Sequence, residues 1–315
     1  MLYVPAEQDN ACVEMPYRKR MCGYASNRLL HSMLVADEVC ALWVPTALSV
    51  LRVTIVAKRL QLPIIFWVQG SVPDESFMRN RSRLRWLVLY AAEKLAFKFS
   101  AGFVFVSDAM AEFYRHRHFK RKPFAVVPCL SEFAGYVASE ERIPESFVYI
   151  GGMSPWQCFE QTLRLYLEVA RPQSIFHVIT RNVKEASDTI ARIAPGRYDI
   201  QVYSITDRTL IPITLSRFQY GLLLREHGNV NHVASPIKFL EYLSCGVDVV
   251  MTDAVPYYAD IVRKHGVGTV IDTESENIGL RPYSGRAQAV YASLFNKERF
   301  VKEYANLISN LDKHK

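Results

Sequence analysis

The segment at residues 220–250 reads YGLLLREHGNVNHVASPIKFLEYLSCGVDVV, and it indicates the fold more clearly than any other part of the chain. An apolar run, a polar loop, an amphipathic run and a second apolar run follow one another, which predicts strand, loop, helix and strand. Ser235 suits the N-cap of this helix, Pro236 its first position and Gly246 its exit. Such units build parallel sheets that are covered by helices.

The same alternation continues on both sides of this segment from about residue 39. Apolar runs that predict buried strands lie at 63–68, 102–107, 124–128, 147–150, 175–179 and 200–203. Amphipathic runs predict helices at 86–99 and 158–170. Residues 1–33 show no sustained period, so no element is predicted there.

A polar stretch at residues 138–145, which contains Pro144, predicts a linker between two domains. A chain of 315 residues also fits about two domains of ordinary size. The predicted fold class is therefore α/β, with Rossmann-like domains at residues 1–145 and 146–315 and a cleft between them.

The predicted helix after Ser235 has the properties of a phosphate site. Its free N–H groups and positive dipole end favour an anion, and Lys238 adds a full charge in the first turn. Glu241 lies three residues further on, on the same face, where a carboxylate can accept hydrogen bonds from ribose hydroxyls. The alternative is an ordinary amphipathic helix whose Lys238–Glu241 pair is a solvated surface contact, and spacing alone leaves both open.

This segment resembles the donor-site signature of glycosyltransferase family 4 and its capsule- and lipopolysaccharide-type relatives, in which a Ser-Pro-x-Lys-x-x-Glu-Tyr-Leu helix precedes a glycine and an apolar strand. Weaker likenesses lie in the expected order at 103–107, 125–128, 147–156, 259–268 and 295–311. The resemblance implies a GT-B fold with an acceptor-side first domain and a nucleotide-sugar-binding second domain. It also implies a last helix, about 294–312, that packs back toward the first domain.

The resemblance assigns site residues position by position. The implied donor-binding residues are Gly151, Gly152, Arg181, Ser235, Pro236, Ile237, Lys238 and Glu241. The implied catalytic residues are Arg225, Glu226 and Lys238.

The sequence departs from the family pattern at three places. The family's first strand and glycine-rich acceptor loop are not evident before Val39, so the first domain is expected to be abbreviated. The family often has a second glutamate eight positions before the one matching Glu241, but Val233 stands there, so Glu226 is the candidate replacement. The family's basic pair would fall near Met153 and Gln157, neither of which is charged. Arg225 and Lys238 are then the candidates for neutralising phosphate.

The implied reaction is transfer of a sugar from a nucleoside diphosphate sugar to a saccharide or lipid-linked acceptor, with retention, in surface-polysaccharide or glycan biosynthesis. Fixed positive groups can stabilise the departing diphosphate, and no Asp-x-Asp follows a strand, so neither a metal nor another cofactor is expected. The uncharged residues 153 and 157 and the short first domain favour an alternative. It is a non-catalytic protein of the same fold that binds a nucleotide or saccharide, or acts as a scaffold at a membrane surface.

The net charge of +7 fits several anionic partners. No nucleic-acid-binding module accompanies it, so nucleic acid is not an expected partner. Residues 79–90 begin with arginines and continue into an apolar run with Trp86, which suits an anionic membrane surface, although a core helix with a charged first turn is the alternative. Six scattered cysteines and the absence of a leader pattern predict a cytoplasmic protein, peripheral at the inner face of a membrane if the basic run serves that purpose. The acidic stretch at 272–276 is expected to be a solvated loop rather than a metal site.

Overall fold

The computed structural model of the chain describes residues 2–5, 13–15, 19–24, 26–37, 39–136, 141–272 and 278–312. Two parallel sheets with helices packed around them dominate it, which confirms the predicted α/β class. A third, small sheet precedes them in the order β1-β3-β2. Its strands are β1 (Leu2–Pro5), β2 (Val13–Met15) and β3 (Lys19–Tyr24).

The first half of the chain contains a parallel sheet of four strands in sequential order. The strands are β4 (Leu42–Val44), β5 (Ile64–Val68), β6 (Gly102–Phe105) and β7 (Phe124–Val126). Five helices accompany them: α1 (Asn27–Ala36), α2 (Ala47–Arg59), α3 (Val72–Asn80), α4 (Arg83–Phe99) and α5 (Asp108–His118). The central strands β5 and β6 are almost entirely apolar and buried, as expected for parallel strands that helices cover on both faces.

The second half contains a parallel sheet of six strands in the order β10-β9-β8-β11-β12-β13. The strands are β8 (Ser146–Ile150), β9 (Ile175–Ile179), β10 (Ile200–Tyr203), β11 (Tyr220–Leu223), β12 (Asp248–Thr252) and β13 (Gly268–Ile271). The strand order reverses between β8 and β11. In open sheets of this kind, ligands bind beyond the carboxyl ends of the strands at such a switch point.

Eight helices belong to the rest of the described chain. They are α6 (Phe159–Val169), α7 (Val183–Ile193), α8 (Leu210–Leu215), α9 (Asn229–His232), α10 (Ile237–Ser244), α11 (Pro256–His265), α12 (Ala287–Leu294) and α13 (Lys297–Asp312). The last of these lies against the four-stranded sheet, where a Cβ atom on Gly102 would stand 3.1 Å from Leu311 and 3.3 Å from Leu307. In addition, the rings of Tyr304 and Trp43 meet edge to face at 5.0 Å.

Tyr242 ties α10 to the centre of the six-stranded sheet. Its ring is fully buried against Gly221 of β11, where any Cβ atom would stand 2.6 Å from a ring carbon. Its hydroxyl accepts a hydrogen bond from the Ile150 amide at 3.0 Å. Only glycine at 221 lets the ring approach this closely, so the position of α10 relative to β8 is set by packing and by a hydrogen bond together.

The structure corrects the predicted boundaries of the helix in the 220–250 segment. The helix begins at Ile237 with Pro236 at the N-cap, so the predicted cap by Ser235 is wrong. The polar loop before it also contains one short helix, α9. The predicted glycine exit is confirmed, because Gly246 follows the helix with a φ of +73°, a left-handed conformation that favours glycine.

Two predicted loops are only partly described. Residues 138–140 of the predicted linker lie outside the described residues, and Arg142 within it donates to the carbonyls of Phe218 (2.6 Å) and Cys245 (2.9 Å). That end of the linker is therefore bonded to the second half of the chain. Of the acidic stretch at 272–276, the structure describes only the first residue, so its expected solvation stays a prediction.

Candidate functional site

A cavity of about 260 Å³ lies beyond the carboxyl ends of β8 and β9, beside α10. It brings together five of the residues that the sequence singled out: Gly151, Gly152, Arg181, Lys238 and Glu241. Its position is adjacent to the switch point of the strand order, where parallel sheets of this type bind their ligands.

Lys238 and Glu241 form an ion pair on the wall of this cavity. The Lys238 Nζ atom lies 3.0 Å from Glu241 Oε2, and the side chains are 26% and 5% exposed. The solvated surface pair that spacing alone allowed is therefore not what the structure contains. A nearly buried carboxylate next to a partly exposed ammonium gives the cavity an acceptor and a cation side by side.

The glycine turn after β8 is closed from behind by Gln157. The Gly152 amide donates to Gln157 Oε1 at 3.0 Å, and the Tyr149 hydroxyl donates to the Gly152 carbonyl at 2.6 Å. A Cβ atom on Gly151 would stand 2.5 Å from Gln157 Oε1 and 2.8 Å from the Tyr149 hydroxyl oxygen, so a side chain there would displace one or both of these groups. Burial raises the pKa of Tyr149, which keeps its hydroxyl protonated as a donor. Gln157 thus occupies the N–H group of Gly152, a residue that lines the candidate site.

Arg225 is a buried residue with its guanidinium bonded to the backbone. Its Nη1 atom donates to the carbonyls of Leu224 (2.8 Å) and Gln157 (3.2 Å), and burial lowers its pKa. Its own backbone amide and carbonyl both bond to the Thr252 hydroxyl at the end of β12. Arg225 therefore joins the loop after β11 to the 3-10 turn at Pro155–Gln157.

Glu226 lines a different cavity from Lys238 and Glu241. Its exposed carboxylate accepts a hydrogen bond from Gln161 at 2.9 Å, and it lines a space of about 530 Å³ with Cys158 and Arg164. The structure consequently does not bring the three implied catalytic residues into one cavity. Only Lys238 lines the cavity at the glycine turn.

Ser235 connects the two halves of the chain instead of capping α10. Its hydroxyl bonds to the Tyr258 hydroxyl at 2.5 Å and accepts from the Cys129 amide at 3.2 Å. Val233, at the position where the family often has its first glutamate, is fully buried in the core of the first half. Its carbonyl accepts from Ser107, the residue that caps α5. Residues 233–235 are therefore an interface between the halves.

Pro236 and Ile237 are half-buried at the start of α10 and are not among the residues that line the cavity. The sequence reasoning missed three polar residues that do line it: Thr180, Asn182 and Arg208. Arg208 follows β10 in a polar loop, and it forms an exposed ion pair of 3.2 Å with Glu132 from the first half. The sequence could have indicated Arg208 as a site residue, because it is a basic residue in the loop that follows a predicted strand.

Within the ranges that the structure describes, no three His, Cys, Asp or Glu side chains are grouped so that they could hold a metal ion.

The same ranges contain no helix with the length and apolar character needed to cross a bilayer. His227, which the sequence places near the site, forms an exposed pair of 3.0 Å with Asp253.

No protein-family model matches the chain, and no curated protein matches it in sequence. Solved structures do match. The lipopolysaccharide outer core galactosyltransferase WaaB in its apo form has a TM-score of 0.58 at 12% identity, over 90% of this chain and 79% of that one. Anabaena HepE in complex with UDP and glucose has a TM-score of 0.63 at 14% identity, over 92% and 85%. Sucrose-phosphate synthase from Thermosynechococcus elongatus has a TM-score of 0.62 at 12% identity, over 98% and 87%. At such identities the likeness shows the fold, which is the GT-B arrangement of two Rossmann-like domains that the sequence predicts.

Proposed function

We propose that this chain is a glycosyltransferase of the family 4 type, which moves a sugar from a nucleoside diphosphate sugar to a hydroxyl of a saccharide or lipid-linked acceptor. One observation carries the proposal: a cation, a nearly buried carboxylate and a glycine turn meet in one cavity beside the switch point of the six-stranded sheet. The fold supports it, since it is shared with WaaB and with HepE, whose structures include complexes with UDP and UDP-glucose.

In this proposal, residues 146–315 hold the donor and residues 1–145 face the acceptor. Lys238 neutralises the diphosphate together with the start of α10. Glu241 accepts hydrogen bonds from ribose hydroxyls, and Arg181 supplies a second positive charge at the rim. Such fixed charges can stabilise a departing diphosphate, so the proposed reaction requires no metal.

The proposed transfer retains the configuration at the anomeric carbon, whose bond to the diphosphate breaks as a bond to the acceptor oxygen forms on the same face, and the proton of the acceptor hydroxyl passes to the departing diphosphate. Lys238 contacts the leaving group. Arg225 acts as a positioning residue, because its guanidinium is bonded to the carbonyl of Gln157 next to the glycine turn. Glu226 would have to reach the sugar from the adjoining cavity. The sugar product would enter surface-polysaccharide or glycan biosynthesis on the cytoplasmic side of a membrane.

Specific observations favour a second candidate, a non-catalytic protein of the same fold that binds a nucleotide or saccharide or acts as a scaffold. Gln157 takes the Gly152 N–H group that a phosphate would use, and Glu226 lies outside the cavity. The cavity of about 260 Å³ is also below the roughly 300–1,000 Å³ that ligand sites usually enclose.

A screen of nucleoside diphosphate sugars, beginning with uridine donors, separates the two candidates. Thermal stabilisation of the parent protein shows binding, and mass spectrometry of the products shows hydrolysis or transfer. Glu241→Gln should reduce the stabilisation, whereas Glu303→Gln on the exposed face of α13 makes the same chemical change away from the site and should not.

Stabilisation with turnover supports the enzyme, and stabilisation without turnover in the presence of saccharide and lipid-linked acceptors supports the binding protein. If no donor stabilises the parent, or if Glu241→Gln binds as well as the parent, the cavity is not a donor site and the proposal is wrong.

A further inference from the structure

The outer face of α4 exposes four large apolar side chains. Leu84, Leu87, Val88 and Leu95 are 74%, 56%, 60% and 44% exposed, and Ala91 between them is also exposed. At about 100° per residue these positions fall within an arc of about 100° on one helix face. They form an apolar stripe about 16 Å long that contacts solvent instead of a core.

The contacts on the opposite face explain why the stripe points outward. The Trp86 indole N–H donates to Asp74 of α3 at 2.9 Å, and the ring stacks on Tyr90 at 5.1 Å. Glu93 is buried and accepts from the Tyr114 hydroxyl of α5 at 2.9 Å. Trp86, which the sequence suggested for contact with a bilayer, is therefore directed towards α3, and the leucines and valine are the exposed apolar groups.

Cations surround the stripe without acidic partners. Arg81, Arg83, Arg85, Lys94 and Lys98 are all exposed. In the described part of the chain, none of them forms an ion pair. The one acidic residue of α4 is the buried glutamate that faces α5. The described side chains therefore leave these five cations available to an anionic partner.

A groove of about 1,030 Å³ continues this surface beyond the C-terminal half of α4. Ala91 and Leu95 of the stripe line one side of it, and Phe119 lines the other. Lys120 and Arg121 stand at the groove as well, and no Asp or Glu is found among its described lining residues. The stripe and the groove thus form one surface of apolar groups with a cationic rim, which we call the α4 face.

We propose that the α4 face docks on an anionic lipid bilayer. Apolar side chains that enter the interface and cations that contact anionic headgroups are the two components of interfacial membrane binding. Each exposed Lys or Arg near such a surface strengthens binding by about fivefold, and the Debye length makes this part sensitive to salt. A soluble protein partner would need an apolar surface of matching shape and a cluster of acidic residues around it. An anionic bilayer offers an apolar interior and negative headgroups without a matching shape.

This docking is independent of the donor site, since none of its residues line the cavity at the glycine turn. It nevertheless bears on access to the cleft. Arg79, at the end of α3 next to the start of α4, lies over the ring of Trp156 at 5.2 Å, in the second half of the chain. A bilayer at the α4 face would therefore lie close to the junction of the two halves, where a lipid-linked acceptor would have to enter.

Sedimentation with vesicles tests the proposal. The full chain should bind vesicles of phosphatidylcholine with one quarter phosphatidylglycerol, should not bind phosphatidylcholine alone, and should be released by raised salt. The charge variant Arg83→Gln/Arg85→Gln/Lys94→Gln should weaken binding by about a hundredfold, which is three factors of five. The matched control Lys184→Gln/Lys264→Gln/Lys302→Gln removes as many exposed charges elsewhere and should lose much less than this.

A second variant tests the apolar part, and circular dichroism checks that every variant is folded. Leu84→Ser/Leu87→Ser/Val88→Ser should weaken binding at least tenfold, while Val301→Ser/Ile308→Ser on exposed α13 positions should not. Equal binding to both kinds of vesicle, binding to neither, or full binding by either α4 variant overturns the proposal. Sedimentation velocity adds one more outcome. If the parent is a dimer that the apolar variant dissociates, and vesicles are not bound, the α4 face belongs to a second copy of the chain and the proposal is wrong.

Discussion

Substitutions of Lys238 and Glu241 should affect opposite ends of a bound donor. In the proposed complex Lys238 neutralises phosphate, so Lys238→Ala removes a charge-assisted contact worth about 1.5 to 3 kcal/mol. That loss weakens a nucleoside diphosphate by roughly one to two orders of magnitude and leaves the bare nucleoside unaffected. Glu241→Gln keeps an acceptor oxygen but loses the charge, so it should weaken the nucleoside and its diphosphate alike.

Lys238→Ala should also lower the free energy of unfolding, because it breaks the ion pair with Glu241. Lys238→Ala leaves the carboxylate of Glu241, only 5% exposed, without the ammonium that lies 3.0 Å away. Removing one partner of a fully buried pair costs about 3 to 5 kcal/mol. Since the lysine is 26% exposed, water can replace part of its interaction, and we expect a smaller loss of about 1 to 2 kcal/mol in the free energy of unfolding.

Calorimetric titration of both variants with a nucleoside and its diphosphate measures the two effects separately, and urea unfolding measures the stability. Lys238→Met keeps the apolar stem of the lysine and distinguishes lost charge from lost packing. Lys264→Ala, at an exposed position in the last turn of α11, is the control for a generic loss of charge. If the two site variants bind both ligands as tightly as the parent, α10 is not the donor site and the argument from the cavity fails.

Two further changes test the surroundings of the cavity, and a third tests an ion pair before the first residue of β10. Gln157→Ala frees the Gly152 N–H group for a phosphate, so calorimetry should show an affinity for a nucleoside diphosphate that is about 5- to 30-fold higher. The same change should lower the free energy of unfolding by about 1 kcal/mol. Unchanged or weaker binding would refute this role of Gln157. Tyr242→Phe leaves the buried Ile150 amide of β8 without its hydrogen bond and should lower the free energy of unfolding by about 1 to 3 kcal/mol. Urea unfolding should show this as a lower midpoint at constant slope, and an unchanged midpoint would contradict the prediction. Hydrogen bonds from Arg197 lower the pKa of Asp199 to about 2, compared with about 3.9 in the unfolded chain. The ionised carboxylate therefore contributes about 1 kcal/mol to the free energy of unfolding above pH 4, and this contribution is lost as the pH falls toward 2. Asp199→Asn should remove this acid dependence from the urea midpoints, and an identical pH profile would show that the pair contributes nothing.

Apolar patterning was enough to predict most of the second sheet. The runs at 147–150 and 175–179 coincide with β8 and β9 to within one residue, because parallel strands covered by helices are mostly buried and uninterrupted by charge. The small sheet at the start, β4 and α9 were not recognised. Three-residue strands and a single helical turn carry no period, and α9 depends on a distant contact, since Asn231 donates to the Glu226 carbonyl at 2.8 Å.

The candidate site was predicted where local rules decide position. Helical spacing was enough to expect Lys238 and Glu241 on one face, and the family resemblance pointed to Gly151 and Gly152, which line the same cavity. The predicted role of Ser235 failed because its hydroxyl is engaged by Tyr258 from a later helix and by a backbone amide from the other half. Cap preferences are local, and sequence spacing contains no information about such long-range competitors.

Hydrogen bonds fix the position of α10 beside the cavity, whereas the side chain of Gln157 can move away from the glycine turn. Tyr242 joins α10 to β8, and Ser235 joins the start of α10 to the first half, so Lys238 keeps its distance from the glycine turn unless buried bonds break. Gln157 is different, because its side chain alone occupies the Gly152 N–H group. A phosphate that replaces this neutral acceptor would form a charge-assisted bond of roughly twice the strength, so the exchange is favourable without any movement of the sheet. Binding of a donor phosphate at this turn therefore depends on the displacement of one glutamine side chain, whereas turnover depends on the groups that approach from the adjoining cavity.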